Sequence, residues 1–391
     1  MIAFEKAYRL MMEAAVPPGE TEIVSLMEAG GRVLAADIYS DVDMPPFNKS
    51  AMDGYACRRK DLDSPMEIIE TIPAGREPEK RVGPGQCSRI MTGAMVPEGA
   101  DTVVMVEHTG LREGKVLVTR KSGRDNICRL AEDVSRGDLV LSRGTFITPA
   151  EAAVLAAVGT GNVPVARKPV LGIIATGSEL VEPDRKPGRA FIRNSNSYQL
   201  YLQIEKAGFE PRYFGIARDT PGSIAEIIES NAGSVDVFLL SGGVSMGDYD
   251  FVPGVLRDKG YRLLFEKVAM KPGKPTVFGV SEDSYVFGLP GNPVSTFVIF
   301  EIFVRPFCCC LMGAEYKPRR VRAVLPAGLK RRKSGRLSHI PVRFIDSGSV
   351  ERVEYHGSAH IHAYTMADGF IAVPAGTGLI EKGGQVEVTL I

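Results

Sequence analysis

Three runs decide the fold: VLGIIAT at 170–176, VDVFLLSGG at 235–243 and SYVFGLPG at 284–291. Each is a short, continuous apolar stretch ending in or beside glycine, the pattern of strands buried on both faces of a parallel sheet. Helical segments lie between them. Ser197 to Lys206 is stopped by Gly208, and Thr220-Pro221 caps a helix with Ile224, Ile227 and Ile228 on one face. Strands alternating with helices imply right-handed crossovers and a doubly wound α/β sheet over residues 169 to 306. In such sheets a ligand lies beyond the carboxyl ends of the strands.

Outward from this unit the character changes. Phe4, Ala7, Tyr8, Met11 and Met12 mark one face of an amphipathic first helix, and Glu5, Lys6 and Arg9 within it disfavour a secretory leader. The stretch SLMEAGGRVLAADIYSDVDMPPF reads as a connector that turns extended near Asp37. From Asn48 to about Arg143, short β-rich runs separated by Gly and Pro read as a small separate β domain. Thr148-Pro149-Ala150-Glu151 opens an alanine-rich helix, stopped by Gly159, that returns to the connector. From Lys317 the helical signals vanish, and a terminal β barrel or sandwich is expected.

Composition bounds the function classes. Lys plus Arg is 47 and Asp plus Glu is 47, so no global field draws the 391-residue chain to nucleic acid or anionic membrane. Ten basic side chains and no acid lie between 317 and 345, but with almost no aromatic interleaving they read as a solvated face rather than a nucleic-acid patch. The best apolar run, Val294 to Val304, is short and carries Glu301, so no membrane span is expected and the setting reads as cytoplasmic. Six cysteines without a CxxC pair argue against zinc ribbons and iron–sulfur clusters, and the triplet Cys308, Cys309 and Cys310 reads as core.

The three apolar strands feed three polar loops: Thr176-Gly177-Ser178-Glu179, Ser241-Gly242-Gly243-Val244-Ser245 and Pro290-Gly291-Asn292-Pro293. Converging on one sheet edge, they would offer backbone N–H groups and a helix start to a phosphate-bearing guest. Lys267, Lys271 and Lys274, stiffened by neighbouring Pro and Gly, would neutralise its oxygens. Glu179, Asp219 and Asp250 near such an anion imply a bridging Mg²⁺, with Glu179 and Asp250 as its protein ligands. Two other readings are weaker. GVSMG at 243–247 matches a nucleophile elbow formally, but no helix follows directly, which disfavours a serine hydrolase at Ser245. His356, His360 and His362 share strand parity, yet Gly357 and Ser358 break the run and no carboxylate orients an imidazole.

Seven motifs, among them PPFNKSAMDGYA (45–56), IMTGAMVPEGADTVVMVE (90–107), NICRLAEDVSRGD (126–138), SGGVSMGDYDFV and KVAMKPGKPTVFG, together resemble the molybdopterin molybdenumtransferase family typified by MoeA and the gephyrin E domain. The resemblance implies an elongated α/β multidomain homodimer. Its parts would be a MogA-like doubly wound domain (1–20 and 165–316), a connector (21–45 and 144–164), a β-rich insertion (46–143) and a C-terminal β barrel (317–391). It implies insertion of molybdate into adenylylated molybdopterin with release of AMP, and a possible MogA-like adenylyltransferase partner. By motif, Asp53, Thr92, Asp133, Glu179, Asp219, Asp250, Lys267 and Lys271 fall on family active-site positions, the first three closing the cleft from the partner subunit. Asp53 and Asp133 could relay protons if their neighbours raise their pKa. The rival class is a non-catalytic carrier or scaffold. At GSAHIHAYTMADGF the chain departs from the family's small hydroxyl residues, so no ligand contact is carried over from the barrel.

Overall fold

The computed structural model describes residues 1–245, 250–354, 357 and 359–391. Met246, Gly247, Asp248, His356 and Ser358, which the sequence reading used, lie outside the described residues.

The α/β unit begins with helix α1 (Phe4–Ala14), then β1 (Val170–Thr176), α2 (Asn196–Lys206), β2 (Glu210–Ala217), α3 (Pro221–Ser230), β3 (Val237–Ser241), α4 (Val252–Asp258), β4 (Arg262–Phe265), β5 (Val277–Val280), β6 (Tyr285–Leu289) and α5 (Pro293–Ile299). A π-helical turn, Phe300–Val304, joins α5 to α6 (Arg305–Leu311). The sheet order is β2-β1-β3-β6-β5-β4. The first four strands are parallel, as their apolar runs require, and β1 and β3 are buried at every residue. β5 and β4 close the edge antiparallel, which the sequence reading did not anticipate. VFGV has the same apolar look as its parallel neighbours, and only the short link to Tyr285 turns it round.

Caps behave as read: Thr220 Oγ1 accepts the Ser223 N–H at 3.3 Å, and Pro221 occupies the first turn of α3. The core lies on both faces of the sheet. On one face Ala7 and Met11 of α1 are fully buried, and Phe4 packs on Phe303 with ring centroids 5.1 Å apart. Burying Met11 alone contributes about 2 kcal/mol. Cys308 and Cys309 belong to this core, all six cysteines are free thiols, and burial pushes the Cys309 thiol up to about 12. One helix, Pro293–Leu311, is long and apolar enough to cross a membrane by length and composition alone, and 72% of its apolar window is buried inside this core. Its charged pair, Glu301 and Arg305, is internally bonded at 3.0 Å.

The connector forms around Ala29, Leu34, Ile38, Leu155 and Val163. Strand Thr21–Ser25 pairs antiparallel with Asn162–Ala166, and the returning helix Pro149–Ala157 carries a capping box between Thr148 and Glu151. At the junction with the α/β unit, Arg167 donates to Asp236 twice, at 2.6 and 3.0 Å, and also to Glu20. Asp236 in turn accepts the Val170 N–H at 2.7 Å, so the linker is bolted to the amino end of the sheet.

The insertion is a six-stranded sheet, Thr102–Met105, Gly54–Cys57, Gln86–Ile90, Met66–Ile72, Lys115–Val118 and Thr109–Arg112 in spatial order. In the C-terminal region, Leu337–Phe344, Gly369–Val373, Gly384–Leu390 and Arg320–Leu325 pair in that order, and Val350–Arg352 flanks the first. A bridge between Val324 and Ser349, with Val324 N–H donating to Gly348 O at 2.8 Å, closes this sheet into the expected barrel. A two-residue strand of the α/β chain, Met270–Lys271, pairs parallel with Leu337–Ser338 and stitches the barrel to the α/β unit.

Candidate functional site

The carboxyl ends of β1, β3 and β6 meet in one cavity of about 590 Å³. Thr176, Gly177, Glu179, Asp219, Ser241, Gly242, Gly243, Asp250, Pro290, Gly291, Asn292 and Pro293 all line it, so the three loops converge as the sequence reading required. They also lock to one another. Thr176 Oγ1 donates to Ser241 O at 3.3 Å, and Thr296 Oγ1 donates to Pro290 O at 2.7 Å. Gly242 has φ +107°, and a Cβ there would stand 2.4 Å from Thr176 O, so only glycine lets the second loop lie on the first.

One expectation needs correction. The glycine amides were expected to face the ligand, but three loop amides are already spent. Gly177 N–H donates to Ala217 O, Gly242 N–H to Leu289 O, and Ser178 N–H to Asp219 Oδ2 at 2.7 Å. Ser178 Oγ accepts the Asp219 N–H in return at 3.1 Å, and Ser178 does not line the cavity. Asp219 therefore shapes the first loop. Strand ends continue their ladders one residue into the loops, which the loop sequences do not reveal.

The lysines are placed differently from the acids. Lys267, Lys271 and Lys274 are not among the residues lining the cavity, and their segment enters it through Pro275. The reason is the stitch described above: Lys271 is drawn into the barrel sheet, and Lys274 O and Lys267 O accept the Val268 and Ile2 N–H groups. The cation that does line the cavity is Arg193, whose Nε donates to Arg185 O at 3.2 Å. Sequence reasoning missed it, along with Asn194, Ser195 and Asn196 beside it. FIRNSNS has neither an apolar period nor a glycine, and only its polarity just ahead of a helix could have singled it out. Ala359 and Ile361 also reach the cavity from the barrel. His360 and His362 do not lie on a strand: Ile361–Met366 is a 3-10 helix, and both histidines are exposed. Among the described residues no histidine lines the cavity beside Ser245, as a serine hydrolase would need.

The basic segment is mostly the solvated face expected, exposed except at Arg331 and Arg336. Arg331 donates to Val373 O, Pro374 O, Thr377 O and Arg336 O, while Arg320 and Arg343 pair with Glu387 and Glu351.

Asp53 and Thr92 lie together in the insertion, Asp133 belongs to the same insertion, and none of the three is among the residues lining this cavity within one chain. Their segments are tied by Ser50 N–H to Ala94 O, Ala51 N–H to Asn126 O and Asp133 N–H to Met44 O, each at 2.9 Å. Asp53 Oδ1 accepts both the Thr92 N–H at 2.6 Å and the Thr92 hydroxyl at 2.8 Å. These bonds, the backbone one foremost, hold the Asp53 carboxyl below its ordinary range. A raised pKa was the condition for a proton relay, and the opposite shift is found.

The cavity lining suits a hard cation. Its metal-binding groups are carboxylates, hydroxyls and carbonyls, with no His or Cys among the described residues. No group of three or more His, Cys, Asp or Glu side chains that could hold a metal occurs among the described residues. Mg²⁺, which needs only one or two carboxylates and takes its other oxygens from phosphate and water, fits such a set.

The chain matches three family profiles in order: the MoeA N-terminal region (domain I and II) over residues 2–159, a "Probable molybdopterin binding domain" over 172–308, and the MoeA C-terminal region (domain IV) over 322–391. It is 39% identical to the molybdopterin molybdenumtransferase of Bacillus subtilis, covering 95% of this chain and 90% of that one. The chain belongs to the molybdopterin molybdenumtransferase family. A second member, from Haemophilus influenzae, is 34% identical over 99% of this chain and 98% of its own. The crystal structure of the molybdopterin biosynthesis MoeA protein from Pyrococcus horikoshii superposes with a TM-score of 0.87 at 31% identity, each chain fully covered. The family fold thus extends over the whole chain, cavity included.

Proposed function

We propose that this chain is a molybdopterin molybdenumtransferase, inserting molybdate into adenylylated molybdopterin with release of AMP to form molybdenum cofactor. The observation that carries the reading is the convergence of three loops and the acids Glu179, Asp219 and Asp250 on one cavity beyond the parallel strands. The substrate is long and multiply anionic. Arg193, the hydroxyl of Ser241 and the start of the long helix at Pro293 offer it positive charge and donors. Glu179 and Asp250 would hold Mg²⁺, which when bound draws charge off the phosphate anhydride. Asp219, locked to Ser178, keeps the first loop open to the substrate.

Lys267, Lys271 and Lys274 stand along the seam with the barrel, where they would meet the second anion, molybdate. Asp53 remains ionised and acts as an acceptor that orients Thr92, not as a proton donor. Asp133, whose N–H donates to Met44 O, belongs to the same insertion. That these three lie outside the cavity of their own chain supports a homodimer in which each cleft is completed by the partner. Ile192, 57% exposed on the cavity wall, and Phe191, 46% exposed beside it, favour the same covering. A MogA-like adenylyltransferase would supply the substrate, and the setting would be cytoplasmic.

AMP release from adenylylated molybdopterin, followed with and without molybdate, tests the activity. Molybdate-dependent release is expected; release that molybdate does not stimulate would favour a carrier.

A further inference from the structure

Asn196 is the first residue of α2, only 8% exposed, and part of the cavity wall. Its Nδ2 donates to Ser241 Oγ at 2.7 Å and to Gly291 O at 2.8 Å, so one amide group ties the second loop to the third. The amide orientation is fixed. Turned over, Oδ1 would face the Gly291 carbonyl, acceptor against acceptor. In the fixed orientation Oδ1 is buried without a hydrogen-bond partner, a cost the fold retains here. The Ser241 hydroxyl is left in a definite state. Its oxygen accepts from Asn196, and its proton has no acceptor among the described residues, although Ser241 is 2% exposed and lines the cavity.

We infer that Asn196 is a positioning residue for anion recognition: by donating to Ser241 Oγ it aims and polarises the Ser241 O–H as a donor to a phosphate oxygen of the substrate. The inference rests on the proposed function for the identity of the anion, but not for the presence of the site. An Asn N–H feeding a hydroxyl that feeds a phosphate oxygen is a cooperative chain, each bond strengthening the next. A hydroxyl buried to this degree keeps little rotational freedom, so its one remaining direction is the one the cavity needs.

Isothermal titration of the full chain with inorganic pyrophosphate tests the relay by a double-mutant cycle. Ser241→Ala should weaken binding about tenfold, the loss of one charge-assisted hydrogen bond. Asn196→Ala should weaken it about three- to fivefold, by loss of aim and polarisation. The double variant should bind within about twofold of Ser241→Ala alone, because Asn196 acts through the hydroxyl. A purely structural loop tie predicts otherwise: Asn196→Ala would cost as much in the Ser241→Ala background as in the parent, and that result overturns the relay. So does unchanged pyrophosphate binding in Asn196→Ala. Thermal unfolding checks that each variant is folded; if Ser241→Ala is not, Ser241→Cys, of similar size with a weak donor, replaces it in the cycle. Titration of the parent with molybdopterin keeps the two claims apart. A parent that binds pyrophosphate in the predicted cycle but not molybdopterin refutes the proposed function and upholds the relay.

Discussion

The parallel sheet carries a polar hollow at each end, and the two are built in opposite ways. At the amino end a cavity of about 710 Å³ is walled by Glu20, Glu22, Arg32, Arg167, Arg212 and Asp236. There each arginine meets a carboxylate: Arg167 meets Asp236 and Glu20, Arg32 meets Glu22, and Arg212 meets Glu210 at 3.0 Å. At the carboxyl end the smaller cavity keeps groups in reserve, including the Ser241 proton and the Asn196 Oδ1. Size and polarity therefore do not separate a binding site from a structural joint. Charge pairing does: every arginine of the amino-end hollow meets a carboxylate, although Arg32 Nε has no partner there, whereas Arg193 at the carboxyl end has no ion pair among the described residues.

The contrast can be broken by experiment. Asp250→Asn, at the carboxyl end, should lower the rate of molybdate-dependent AMP release by about a hundredfold or more while leaving the melting temperature nearly unchanged. A rate within a few-fold of the parent would remove Asp250 from the chemistry. Arg167→Ala, at the amino end, should do the reverse. Loss of its bidentate pair should cost about 2 to 3 kcal/mol in urea unfolding, with turnover per folded molecule preserved. An active-site phenotype with intact stability would mean the amino-end hollow is more than a joint.

Smaller effects sharpen the same line. Arg193→Ala should raise the dissociation constant for pyrophosphate about three- to tenfold, and the difference should shrink at high salt because the guanidinium is exposed. Smallest is Thr92→Val, which removes one of the two bonds depressing Asp53. Asp53 is ionised at neutral pH and takes up its proton only below the ordinary carboxylate range; the variant should move that uptake to higher pH, as read by carboxyl-carbon NMR titration. An unmoved titration would show that the backbone bond alone sets the shift.

Much of this was legible in the sequence for definite reasons. Strands buried on both faces must be apolar throughout, so VLGIIAT and VFLLS announced themselves, and their glycine-rich ends located the cavity before any coordinate did. The caps at Thr148 and Thr220 are local, three or four residues long, and were equally readable. Long-range partnerships were not. Nothing near Asp53 signals that Thr92, 39 residues away, will quench its basicity. Nothing in FIRNSNS says that Arg193 will line the cavity while Lys271 is drawn toward the barrel. The lysine pattern was visible and its address was not, because the address is set by a strand pairing across 67 residues.

That pairing has a practical consequence. The Met270–Lys271 strand belongs by sequence to one unit and by hydrogen bonding to another, so the two cannot be trimmed apart like beads on a string. A shortened protein ending near Gly313 would keep every residue of the parallel sheet. It would also leave a raw edge beside Pro275 and lose the Ala359 and Ile361 side of the pocket, so that cutting away a remote module would open the wall of the pocket itself.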